Sequence, residues 1–333
     1  MVTVITGRRT PLSVNISNIR HRHGEVGAFA AHPMALAGPV ERMMGGAAVP
    51  PRGGGTEGPM CRLLGWSSDR PVTVAEVLGA PALDRLRELA AVHAHGCGMA
   101  WYAEGDDRLH AHRSTLAAGD DGDFEQFVHE APTRRGLLHL RLATPGLGLD
   151  VTDTHPFVAG GMAFAHNGAI FPQDKIDLLL PPGAAEPEGS TDSERYFARL
   201  RSNIGRKEGG AAVARAAGRV LSRVRWHGMS AASLNALLLT PRELHLISLH
   251  DPEAEPAEVQ VWPADYATHP PYLDLSMLQR DGLSVVASSG ILREETGVSR
   301  VDAASVVTMD DHGGVARVSQ IPQRITAPLR QSA

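Results

Sequence analysis

Pro59-Met60-Cys61-Arg62-Leu63-Leu64-Gly65-Trp66 is the stretch around which the rest of the chain is organised. A cysteine directly after a methionine and before an apolar run has the form of a chain start whose new first residue is a nucleophile, yet here it sits 60 residues in. A thiol acts as a nucleophile chiefly as thiolate. An N-terminal cysteine carries its own base, because its free α-amine, with a reference pKa of about 8, lies within one water of the sulfur. On that reading Cys61 must lose Met60. Methionine aminopeptidase can remove it if translation starts at Met60, since cysteine is small; otherwise a protease or self-cleavage must act.

Composition narrows the alternatives. With 333 residues, 43% of them hydrophobic, the chain can build an ample core. No apolar run is long enough to span a membrane and the start lacks a secretory stretch, so the cytoplasm is the expected compartment. Cys61 and Cys97 are too few for a disulfide framework. A net charge of -5 and a pI near 6.3 provide no basic field for nucleic acid, which favours small-molecule chemistry.

Residues 1–59 carry Arg8-Arg9, a His-Arg-His run at 21–23 and a Pro/Gly-rich end, Pro50-Pro51-Arg52-Gly53-Gly54-Gly55, with no sustained period. They are expected to hold little fixed structure. Three explanations stand: a propeptide removed to expose Cys61, a disordered extension that stays, or a start codon placed too far upstream. Gly53 to Gly58, just before Met60, is what translating a purine-rich ribosome-binding site would give.

From Cys61 onward the pattern is that of one packed domain, 61–320, followed by a tail, 321–333. A short strand is expected at 61–66, then a capping box Thr73-x-x-Glu76 opening a helix broken by Pro81 and resumed over 83–93. Strands at 98–103 and 108–114 flank the turn Glu104-Gly105-Asp106-Asp107. Further expectations are a helix at 123–131, a strand at 136–144, a hairpin at 157–166 turning on Gly160-Gly161, and a short helix at 174–180. A second capping box, Thr191-x-x-Glu194, opens a helix over 192–203, and another helix covers 210–224. A hairpin spans 233–239 and 243–249, and short strands fall at 258–262, 283–288 and 304–309. Helices and antiparallel strands come in clusters, which points to an α+β layered domain over a doubly wound sheet.

Five stretches bear chemistry: Met60-Cys61-Arg62-Leu63-Leu64-Gly65, His139-Leu140-Arg141-Leu142-Ala143-Thr144, Thr154-His155-Pro156-Phe157, Ala165-His166-Asn167-Gly168-Ala169-Ile170 and Thr191-Asp192-Ser193-Glu194. Taken singly, each has a plain structural reading: Asn167-Gly168 a hairpin turn, Arg141 an ion-pair partner, Asp192 a helix-start charge. Taken in this order, they resemble the class II glutamine amidotransferases, the N-terminal-nucleophile glutaminase family, and most closely its small free-standing members, which include ergothioneine-pathway amidohydrolases. The likeness covers about 60–310.

The resemblance implies a four-layer αββα fold and a thiol-dependent attack on glutamine or a γ-glutamyl compound through a thioester, releasing ammonia or amine. It implies Cys61 as nucleophile, Asn167 and the Gly168 N–H as oxyanion donors, Arg141 for the substrate α-carboxylate and Asp192 for its α-ammonium. Thr144 and His139 line the pocket. Water is the acceptor in a stand-alone γ-glutamyl amidohydrolase. Otherwise ammonia passes to a synthase on a separate chain, since a glutaminase-like domain takes up about 270 residues. A catalytically silent binding or regulatory domain is the rival from another class.

No cofactor is implied. The pairs His93/His95 and His110/His112 share strand faces but lack acidic or cysteine ligands at zinc-motif spacing, so no metal is expected. The chain departs from the family at Gly96-Cys97-Gly98, at Asp153 and at Ala287-Ser288-Ser289-Gly290.

Overall fold

The computed structural model describes residues 3–4, 61–103, 105, 108–143, 148–249, 273–293 and 295–323, all within one compact unit. Its strands are β1 (Thr3–Val4), β2 (Arg62–Val72), β3 (Cys97–Tyr102), β4 (Leu109–Ser114), β5 (Thr133–Leu140), β6 (Phe157–Ala159), β7 (Met162–Phe171), β8 (Ser230–Leu239), β9 (Leu244–Ser248), β10 (Leu275–Arg280), β11 (Leu283–Ser288), β12 (Ser299–Arg300), β13 (Ser305–Met309) and β14 (Val315–Gln320). Its helices are α1 (Val74–Val92), α2 (Gly122–Glu130), α3 (Asp192–Ile204) and α4 (Gly210–Trp226).

The strands form two sheets, ordered β1-β4-β3-β5-β2-β11-β10-β12 and β14-β13-β9-β8-β7-β6. Pairing is antiparallel except where Thr3–Val4 lies parallel to His110–Ala111. That two-residue strand is the one described piece of residues 1–59, which were expected to hold little fixed structure.

Side-chain alternation along the central strands produces the layers. On β2, Leu64 and Trp66 pack with α1 and α2 through Leu78, Leu86, Phe124 and Phe127, while Leu63 points the other way. Leu63 and Leu137 meet Ala163, Ala165, Leu237 and Leu246 of the second sheet. The outer face of that sheet, with Phe164, Leu234, Leu238 and Ile247, carries Tyr196, Phe197 and Leu200 of α3 and Val213, Val220 and Leu221 of α4. The order is therefore α–β–β–α, the four layers expected, and strands buried on both faces read as near-continuous apolar runs. The sheets approach closely at Gly65, where an added Cβ would stand 3.0 Å from Leu244 and 3.2 Å from Leu237.

Local signals hold where their partners are local. Thr73 caps α1 by accepting from Glu76 N–H at 3.2 Å while Glu76 Oε2 accepts from Thr73 N–H at 2.8 Å. The break expected at Pro81 falls two residues earlier: Gly79 takes φ +70°, outside helical geometry, and the helix resumes beyond the kink and runs to Val92. Thr191 caps α3 as expected, but the Glu194 carboxylate turns to the Glu188 and Gly189 N–H groups, both at 2.9 Å, so the second capping box closes on one side only.

The expected helix over 174–180 is a 3-10 helix, Gln173–Leu179. β5 starts at Thr133 and stops at Leu140, which leaves Arg141 to Ala143 outside the ladder. β10, β12 and β14 had no counterpart in the sequence reading, while the strand expected at 258–262 and most of the 104–107 turn lie outside the described residues.

Phe164 is fully buried between Phe197, stacked at 5.2 Å, and the edge of Tyr196, at 5.0 Å. Phe164→Ala should lower unfolding stability by about 3–5 kcal/mol in denaturant titrations. A loss below about 1 kcal/mol would mean that α3 does not pack on this sheet as described.

Candidate active site

Antiparallel pairing of β2 with β5 sets Arg62 opposite Leu140, so the head of β2 meets the end of β5. The loop leaving β5 folds over Cys61. Leu142 N–H donates to the Cys61 Sγ at 3.4 Å, and the thiol lies 3.5 Å from Leu142 C=O. His95 and Gly96 pin that loop: His95 N–H donates to Arg141 C=O at 3.1 Å, Arg141 N–H to Gly96 C=O at 2.8 Å, and Ala143 N–H to His95 Nδ1 at 3.0 Å.

Arg141 is buried, and its guanidinium donates to the carbonyls of His95 at 3.3 Å and Gly148 at 2.7 Å. Burial pulls its pKa down, opposed by the charges of Cys61 and Asp153. The half-buried Cys61 thiol is pushed up by burial, opposed by Leu142 N–H and then by the positive charges of Arg141 and Arg62. Its hydrogen-bonding neighbours among the described residues are backbone groups, those of Leu142 and of Cys61 itself, with no imidazole or carboxylate.

Asn167 and Gly168 lie in the middle of β7, not in a hairpin turn. Asn167 shares the inter-sheet face with Ala163 and Ala165, is buried, and places its side-chain amide 3.4 Å from Ser288 Oγ. Gly168 has no room for a side chain: a Cβ would stand 1.9 Å from Ser233 C=O and 2.6 Å from His166 Nε2. The β7–β8 register slips between Ala169 and Ile170, and there Ile170 N–H turns to Asp192 Oδ2 at 2.8 Å. Asp192 is the first residue of α3, buried, with its pKa raised by burial against the pull of His166 and Ile170 N–H.

His166 Nε2 stands 3.0 Å from Ser233 C=O, so it carries the proton, and Nδ1 accepts from Ser193 Oγ at 2.9 Å. His139 lies fully buried on the inter-sheet face of β5, its ring 4.2 Å from that of His155. Thr144 lies outside the described residues.

Leu63 of β2, Asn167 of β7 and Ser288 of β11 thus meet between the sheets, His139 of β5 faces the same inter-sheet space, and Cys61 immediately precedes β2. Ser288 escaped sequence reading. It stands in Ala287-Ser288-Ser289-Gly290, noted only as a departure, and its Oγ accepts from Leu63 N–H at 2.9 Å. Gly98, another departure, is forced: a Cβ would stand 2.1 Å from His155 C=O.

A group able to hold an ion, His112, Asp121 and Asp123, differs from the histidine pairs considered above. Asp121 already caps α2 through Phe124 N–H at 2.9 Å and binds His112 Nε2 at 2.9 Å, so helix capping accounts for its geometry. His93 Nδ1 faces Leu89 C=O at 2.5 Å, and His110 stacks on Trp101 at 5.5 Å.

Buried histidines make the fold acid-sensitive. Burial, with Arg141 next, pulls His139 down to about 3 from 6.5, and burial pulls His245 down to about 4. Below pH 6.5 an unfolded imidazole takes up a proton that the folded one refuses. Stability is therefore full above about pH 6.5 and falls as pH drops toward 4, by about 1.4 kcal/mol per pH unit for each such group. Denaturant unfolding between pH 6.5 and 4.5 should show this slope, and His139→Gln should reduce it by about one proton's worth. An unchanged slope would contradict a neutral, buried His139.

A sequence profile of class II glutamine amidotransferases matches residues 60–249, a span that holds all five chemistry-bearing stretches. No curated protein sequence matches the chain. Among solved structures it is similar to a glutamine aminotransferase class-II domain protein from Silicibacter pomeroyi, with 17% identity, TM-score 0.52, and coverage of 78% of this chain and 99% of that one. It is also similar to the glutamine phosphoribosylpyrophosphate amidotransferase from B. subtilis, with 15% identity, TM-score 0.51, and coverage of 80% of this chain but 50% of that one. The two sheets between helical layers are the N-terminal-nucleophile hydrolase fold, and the profile over more than half of its length makes this chain a member of the class II glutamine amidotransferases.

Proposed function

We propose that the protein is a glutaminase-type amidohydrolase in which Cys61, once its α-amine is free, attacks the side-chain amide of glutamine or a γ-glutamyl compound. The observation that carries this reading is the setting of the thiol. It sits half-buried at the head of β2, beside the Arg141 guanidinium, with only backbone groups as hydrogen-bonding neighbours among the described residues. A thiol raised by burial and offered no imidazole needs a base of its own, and a free α-amine supplies one.

The amine takes the thiol proton as sulfur bonds to the amide carbon. The carbonyl electrons move to oxygen, where the Asn167 side-chain amide and the Gly168 N–H donate. Collapse expels the nitrogen as ammonia or amine, carrying the proton the α-amine gives back, and leaves a thioester. Water then adds, and the sulfur departs and is reprotonated. Arg141 takes the substrate α-carboxylate and Asp192 its α-ammonium, with His139 and Thr144 lining the pocket.

Water is the acceptor in this reading, and the setting is cytoplasmic; among the described residues no helix is long and apolar enough to cross a membrane. A second reading rests on the B. subtilis similarity, in which this chain matches half of an amidotransferase chain. There the released ammonia would pass to a synthase on a separate chain.

The experiment is a mass measurement of protein from its native host, paired with ammonia release from glutamine and a panel of γ-glutamyl amides. Active protein should begin at Cys61, and an active chain that retains residues 1–59 would sink the free-amine mechanism. Cys61→Ala should abolish release while the fold persists, and Asn167→Ala should lower kcat by about 10²–10³-fold. Release by Cys61→Ala protein at the wild-type rate would remove Cys61 from the chemistry.

A further inference from the structure

Ser288 takes no part in the reaction proposed above, yet its hydroxyl lies between the backbone of β2, which follows the nucleophile, and the side-chain amide of Asn167. The β2–β11 ladder pairs Val286 with Gly65 and Ala287 with Leu64. One step further the backbone partner is replaced by a side chain: Leu63 N–H donates to Ser288 Oγ at 2.9 Å. Leu63 is two residues after Cys61, so the same few residues of β2 carry the nucleophile and hold this hydroxyl. On its other side Oγ stands 3.4 Å from the side-chain amide of Asn167, and both residues are 1% exposed.

Proton bookkeeping decides what the contact does. Leu63 N–H occupies a lone pair of Oγ, so the Ser288 proton must go elsewhere, and the Asn167 carboxamide is its polar neighbour among the described residues. With the amide nitrogen turned toward Ser288, Asn167 Oδ1 is buried without a hydrogen-bond partner. A carboxamide exchanges its oxygen and nitrogen by a half-turn, and its neighbours set which way it faces. After that turn Oδ1 accepts the Ser288 proton, and the NH2 group is released to donate to an oxyanion.

We propose that Ser288 is a positioning residue: held by Leu63 N–H, it donates to Asn167 Oδ1 and so fixes the NH2 group for the oxyanion formed at Cys61. The proposal rests on the reading of Cys61 as nucleophile and Asn167 as oxyanion donor. Alternation supports it. Leu63, Asn167 and Ser288 all belong to inter-sheet faces, with Val286 two residues from Ser288 and Ala165 two residues from Asn167 in the same core cluster.

The test compares wild-type protein bearing free Cys61 with Ser288→Ala and Ser288→Thr, using glutamine or whichever γ-glutamyl amide the wild type turns over. In Ser288→Ala kcat should fall about 10- to 100-fold with KM within about twofold, a smaller loss than deleting the donor itself. Affinity for glutamate γ-semialdehyde, whose hemithioacetal with Cys61 places an oxygen at the oxyanion position, should fall by the same factor as kcat. Iodoacetamide should alkylate Cys61 at the wild-type rate, and Ser288→Thr, which keeps the hydroxyl, should restore kcat to within a few-fold.

A Ser288→Ala protein with wild-type kcat and semialdehyde affinity overturns the proposal. So does one in which kcat, KM and alkylation all fail and threonine does not rescue, which is the mark of a packing role. A wild type that turns over no amide although Cys61 is free overturns the functional reading itself, a result distinct from either.

Discussion

Everything at the site depends on the junction of β2 and β5. Antiparallel pairing places Arg62 against Leu140, so the residue before one strand and the residue after the other are held together by the ladder. That juxtaposition gives the Cys61 thiol a backbone N–H from Leu142 and the electrostatic company of Arg141. Neither is a local consequence of the Cys61 sequence, since 81 residues separate Cys61 from Leu142. The sheet supplies the proximity at no further entropic cost to the site, because the strands are already ordered by the apolar layers on both their faces.

A second constraint ties the far side of the site to the same frame. The slip at Ala169 and Ile170 frees one N–H from the β7–β8 ladder, and Asp192 accepts it. A carboxylate at the first position of a helix is favoured by the helix dipole, but burial works against its charge, and here burial prevails in raising its pKa. The hydrogen bond from Ile170 N–H holds the carboxylate in place.

The main elements were legible in the sequence because they follow from period-two and helical patterns that strands and helices impose on their own residues, whereas the four-layer order was what the family resemblance implied. The capping box at Thr73 and Glu76 held because both partners lie within one turn. Its counterpart at Thr191 closed halfway because a loop brings the Glu188 and Gly189 N–H groups to the Glu194 carboxylate. The 11 residues of β2 ran on past the apolar stretch because Ser67 and Ser68 remain buried by pairing, which composition does not signal. β10 and β14 escaped notice because each mixes polar and apolar residues and owes its order to a neighbour already in the sheet. Ser288 belongs to the same class. Nothing in Ala287-Ser288-Ser289-Gly290 announces a hydrogen bond to Leu63, 225 residues away, and only register creates it.

The buried imidazoles bear on the proposed role of Cys61. Three histidines are buried around the site, and each has its pKa lowered with burial as the leading cause. His166 spends one nitrogen on Ser233 and the other on Ser193, and His139 and His155 lie ring against ring. Near neutral pH they are uncharged, and their arrangement is one of packing. Among the described residues no imidazole hydrogen-bonds the Cys61 thiol, while Leu142 N–H and Arg141 oppose the rise that burial imposes on its pKa. Burial disfavours the anion on balance and these groups only oppose that effect; in the proposed reading the base is the free amine of Cys61.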